Sequence, residues 1–146
     1  MKRYAEGTAV TVQSSRGEIT GILAKHGCEM FATGTTPLGD TLQFVLGGKT
    51  FRFFIAKPTP ESVRKRDSER YTYPANVDWQ QKAEAEHRRV WRAHVLLIKA
   101  KLEFIEGGDT TLEQEFLPYV VLTDGSTVAD LISSGGLPLL VAGEYR

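Results

Sequence analysis

Apolar residues alternate with polar ones in the first half of the chain, then recur every three or four positions along one long stretch. Leu42, Phe44 and Leu46 fall on one face of an extended segment, and Phe51, Phe53 and Ile55 on one face of the next. That period of two describes an antiparallel meander with one buried face. Between the segments, Gly47-Gly48 is a two-residue hairpin signal. Strands are therefore predicted at 41–46 and 49–56, with another at 29–33 before a turn over 36–40. Val45 and Phe54 point the other way, so the second face is not fully bare.

Ahead of the meander, Ser15 and Glu18 match a capping box, in which side chains satisfy two orphan backbone donors reciprocally. Ile19, Ile22 and Leu23 share a helical face, and Gly27 supplies a left-handed stop. A helix is predicted over 15–26, after a short strand at 9–12. Further on, Ala83, His87, Val90, Trp91, His94, Ile98, Leu102 and Ile105 form one helical stripe. Asp78 caps its start, with Gln81 three residues on, and Gly107-Gly108 ends it. The helix spans about 28 residues, roughly 42 Å, enough to cross a small sheet.

The tail repeats this logic on a smaller scale. Thr110 or Thr111 caps a short helix through Phe116, stopped by Pro118. A strand follows at 119–122, a turn at Asp124-Gly125, a helix at 127–132 and an edge strand at 137–142. The fold class is α+β in a single domain of 146 residues. It comprises an N-terminal helix, a three-stranded antiparallel meander, a long helix packed across the sheet and a small C-terminal subregion. Residues 57–77, with Pro58, Pro60 and Pro74, form a long connection expected to be mobile, apart from a helical turn near 61–66.

Charge changes this picture more than composition does. The net charge is zero. Residues 1–56 nevertheless carry six basic and four acidic side chains, for +2. Residues 57–101 carry eleven and six, for +5, and residues 102–146 carry one and eight, for −7. The two regions either complement each other or present a polyanion-binding face beside an acidic segment. One cysteine, Cys28, cannot form an internal disulfide, which suits a reducing, cytoplasmic compartment. No signal-peptide core opens the chain, and no stretch reaches the roughly 18 apolar residues of a membrane span.

Most catalytic patterns are missing. Gly48-Lys49-Thr50 ends like a phosphate-binding loop, but Gln43 stands where that motif needs glycine, and the context is strand to strand. His87 and His94 lie two turns apart, about 10 Å, too far to share a metal directly. Glu103, Glu106, Asp109, Glu113 and Glu115 form a loose acidic run whose spacing matches no metal-binding loop. No catalytic residue, cofactor or metal ligand is therefore assigned.

The basic residues are more suggestive. Arg88, Arg92 and Lys99 recur along the long helix off its apolar stripe, and Arg89 and Lys82 widen the band. Arg64, Lys65, Arg66 and Arg70 add to it from the connection, with Tyr71, Tyr73 and Trp79 interleaved. Basic side chains hold phosphates and exposed aromatics stack on bases. A solvated helix face and a charged loop would use the same residues. Residues 49–54 faintly echo the aromatic strand of RNA-recognition sheets, but Thr50 and Arg52 replace its glycines, so Phe51 and Phe53 read as core.

From Trp91 to Ile132 the chain carries W-R-A, I-K-A-K-L-E, E-x-E-F-L and D-G-x-T-V in order. In this pattern it resembles a group of small uncharacterised proteins of phages, prophages and related mobile elements. The resemblance covers most of the chain and transfers no functional residue. The element order is also similar to that of single-strand-annealing recombination proteins, and of double-stranded-RNA-binding domains, an analogy of fold alone.

These observations lead to the expectation of a non-enzymatic nucleic-acid-binding protein that holds single-stranded DNA in replication or recombination, with a homo-oligomer compatible and no membrane. The binding residues expected are Arg64, Lys65, Arg66, Arg70, Tyr71, Tyr73, Arg88, Arg89, Arg92 and Lys99. The alternative is a protein that binds and inhibits a host factor, with the acidic C-terminal third as its docking surface. A metal-dependent nuclease ranks third.

Overall fold

In a computed structural model, residues 1–135 are described. The edge strand expected at 137–142 lies outside them. Helix α1 spans Val12–Lys25, and strands β1 (Met30–Thr36), β2 (Gly39–Leu46) and β3 (Lys49–Ala56) follow. Helix α2 covers Pro60–Ser68 and α3 covers Trp79–Glu106. Short helices α4 (Leu112–Phe116) and α5 (Val128–Ser133) complete the described chain, with a 3-10 turn at Leu117–Tyr119 between them. The architecture is α+β, as the periodicities require.

The sheet has the order β1-β2-β3 and is antiparallel throughout. Phe31, Phe44 and Phe51 stand in one cross-strand row, and Thr33, Leu42 and Phe53 in the next. Both residues of the Gly47-Gly48 hairpin have positive φ, 57° and 74°, a conformation that side chains with a Cβ rarely adopt. The first hairpin is tighter than the sequence suggested. Its loop is only Pro37-Leu38, because Thr36 Oγ1 both accepts from Gly39 N and donates to Gly39 O. Gly39 is required there, since a Cβ would lie 2.5 Å from Ile55 O. Asp40 thus becomes a strand residue facing the core rather than part of a turn.

One core cluster joins the layers. Ile19 and Leu23 of α1, Trp91, Val95, Ile98 and Leu102 of α3, and Phe116 of α4 pack with the inner sheet face. Phe44, Phe51, Phe53 and Phe116 are all at most 1% exposed, so the aromatic strand is core and not a binding platform. Each such buried side chain contributes about 1.5–3 kcal/mol of hydrophobic stabilisation. Tyr119 stacks on Phe53, with centroids 3.8 Å apart. The outer sheet face leaves Met30 and Phe54 well exposed.

Several boundaries differ from expectation. No strand forms at 9–12: Thr11 caps α1 by accepting from Ser14 N at 3.1 Å, and the helix starts one turn early. Ser15 is consequently inside α1 and fully buried, and Glu18 pairs with Arg92 instead of closing a capping box. The strand expected at 119–122 is reduced to two isolated bridges, Phe51 with Val120 and Val121 with Thr127, because Pro118 and the 3-10 turn precede it. The helical turn expected near 61–66 is a nine-residue helix, with a Thr59–Ser62 capping box and Pro60 in its first turn.

Candidate nucleic-acid interface

Helix α2 turns the long connection back onto the N-terminal half of α3. Val63, 2% exposed, anchors it. The packing carries Arg66 to Glu86, a residue on the inward side of α3 that is only 9% exposed. A buried carboxylate needs cationic partners. Glu86 has three: Arg3 at 2.7 and 3.0 Å, Arg66 at 2.9 Å and Arg89 at 3.0 Å. Burial pushes the Glu86 carboxyl up, but hydrogen bonds from Arg89 and Arg3 and the nearby guanidinium charges outweigh it and hold the carboxyl below its ordinary range. Arg66 also grips Asp67, at 2.7 Å.

This hub forms the floor of a cavity of about 470 Å³ between residues 1–7, α2, residues 70–73 and α3. Among the described residues, six cationic side chains line it: Lys2, Arg3, Arg66, Arg70, Lys82 and Arg89. Three carboxylates oppose them, Glu6, Asp67 and Glu86, which leaves a surplus of three positive charges. Tyr73 meets Trp79 edge to face at 5.2 Å, and the Lys82 ammonium sits 4.8 Å from the Tyr73 ring centre. Tyr71 stands at the rim, 62% exposed.

The expected basic band is therefore divided. Arg66, Arg70, Tyr71, Tyr73 and Arg89 come together at the cavity. Arg64 and Lys65 are exposed on α2 but do not line it. Arg88 and Arg92 turn away from the cavity: Arg88 Nε donates to Thr8 O, ahead of α1, at 3.4 Å, and Arg92 pairs with Glu18 of α1. Lys99 is exposed ten residues along α3 from Arg89, roughly 15 Å away. Sequence reasoning missed Lys2, Arg3 and Glu86. A glutamate three residues after Ala83, close to the apolar stripe and followed by two arginines, was the available sign of a buried ion-pair hub.

A second polar cluster lies at the α1–sheet–α3 junction. Buried Asp40 accepts from Trp91 Nε1 at 2.9 Å and lies 3.0 Å from His87 Nε2 and 3.2 Å from an Arg16 nitrogen. Burial raises the Asp40 carboxyl, but the Trp91 and His87 hydrogen bonds and the Arg16 charge outweigh it, leaving it below the ordinary range. With its oxygens engaged from both α1 and α3, this cluster fastens β2 to the two helices. At the far end of α3, His26, Glu103 and Glu106 hold ligand-type atoms within 4.8 Å of one another. Two members of the acidic run thus meet His26, the residue that caps the end of α1. Exposed carboxylates also gather in this way without any ion.

The fold and the cavity define an α+β protein with a concave cationic site. The chain matches no protein-family model, no curated protein and no solved structure. No helix among the described residues is long and apolar enough to cross a membrane.

Proposed function

We propose that this chain is a non-enzymatic nucleic-acid-binding protein that holds single-stranded DNA, in the replication or recombination of a mobile element, at the cavity between residues 1–7, α2 and α3. The observation that carries this reading is the convergence of six cations and two tyrosines on one concave surface. Cationic side chains bind phosphates, and an exposed ring such as Tyr71 offers a face to a base. Arg64 and Lys65, exposed on the adjoining helix, extend the positive field along a bound strand.

The host-factor reading draws less support from the acidic residues. Glu113 is held by Lys49 at 3.0 Å and Glu115 by Lys101 at 3.3 Å, so both already have partners within the chain. Fluorescence anisotropy with a labelled single-stranded oligonucleotide tests the proposal. Binding should weaken as salt rises, with a logarithmic slope of about −0.7 for each phosphate contacted. Absence of binding at micromolar protein in low salt would overturn it and leave protein–protein recognition as the better reading.

A further inference from the structure

This inference rests on the cavity being the nucleic-acid site, and concerns which part of a strand enters it. The cavity, about 470 Å³, falls in the lower part of the roughly 300–1,000 Å³ range of small-ligand sites. That is room for about one nucleotide in a half-open hollow bordered by segments from four parts of the chain.

The charge is concentrated to match. An internal phosphodiester carries one negative charge, whereas a phosphate monoester carries about −1.5 to −2 at neutral pH. A strand in transit would spread its charge along a groove. Here a surplus of three positive charges surrounds the space of a single nucleotide.

Donors also remain for a ligand. Arg89 gives Nε and Nη2 to Glu86, while its Nη1 has no hydrogen-bond partner among the described residues. Arg70 and Lys82 form no ion pair among the described residues, although both line the cavity. The fork geometry of a guanidinium suits a phosphate with several free oxygens. Tyr71, at the rim, is placed to meet the base of that same nucleotide.

We infer that the cavity takes the phosphorylated end of a single strand, with the terminal phosphate monoester held by Arg70, Lys82 and Arg89 and the end base against Tyr71. The chemistry recognised is a monoester dianion on a nucleotide, which either a 5′-phosphate or a 3′-phosphate presents.

Three oligonucleotides of one sequence, labelled internally, separate the outcomes: one 5′-phosphorylated, one 3′-phosphorylated and one with hydroxyls at both ends. One phosphorylated strand should bind about tenfold more tightly than the hydroxyl-ended strand, the gain expected of a charge-assisted contact. Which one does so identifies the end. The preference should vanish in the R70A/K82A double variant and persist in Lys99→Ala, whose side chain lies outside the cavity. Equal affinity for all three strands would overturn the end-recognition inference while the nucleic-acid reading stood. No binding of any strand would overturn both.

Discussion

At the residue scale, two buried carboxylates organise the polar interior. Asp40 ties Trp91, His87 and Arg16 together, and Glu86 ties Arg3, Arg66 and Arg89. Both carboxyls are held below their ordinary values of 3.8 and 4.5. The folded chain therefore binds these protons less readily than the unfolded chain does. The stability they contribute is complete above their unfolded values and is lost as pH falls through the lower folded ones. Urea unfolding should show a midpoint that is steady near neutral pH and drops once the pH falls below the ordinary carboxylate range. Asp40→Asn and Glu86→Gln should each lower the neutral-pH midpoint and flatten that acid-side loss. An unchanged acid profile in both variants would mean that neither network holds in solution. Neither residue stood out in the sequence. Asp40 read as a turn residue, and Glu86 drew no reading at all, because its partner Arg3 lies 83 positions away along the chain.

At the element scale, the two strongest periodic segments formed as expected. Strand β3 has the expected bounds, and α3 starts after Asp78, whose side chain accepts from Gln81 N at 3.0 Å. Trp91 lies at the centre of α3, fully buried. Trp91→Ala should cost about 3–5 kcal/mol and lower Tm by several degrees, read by thermal unfolding. A wild-type Tm in that variant would contradict the packing of α3 on the sheet. The connection at 57–77 behaves as two pieces. Its first half is α2, anchored by Val63; its second half, after Glu69, has no regular structure until α3. Limited trypsinolysis should cut after Arg70 before it cuts after Arg64, Lys65 or Arg66. Early cleavage within α2 would show that the helix opens readily. The sequence undersold α2 because a nine-residue helix with one buried apolar residue carries almost no periodic signal.

At the scale of the whole molecule, packing sorts the basic residues into two kinds. Arg88 and Arg92 bridge α3 to Thr8 and Glu18, so the R88A/R92A double variant should lower stability while affecting oligonucleotide binding little. R70A/K82A should do the opposite, weakening binding and lowering the salt slope by up to about 1.4, two contacts' worth, with Tm nearly unchanged. Urea unfolding and anisotropy on the wild type and these two double variants check both expectations, and the reverse pattern would move the interface to the α1–α3 seam. The α+β class, the Gly47-Gly48 hairpin, the long capped helix and the uneven charge were all legible in the order of the residues. Those follow from interactions between residues a few positions apart, which periodicity and capping record directly. Packing between distant segments settled which arginines share Glu86, that Arg92 ties α3 to α1, and that a cavity exists. Those outcomes depend on where α2 and residues 1–7 fold back onto α3, and contacts between segments so distant in the chain leave no local pattern to read.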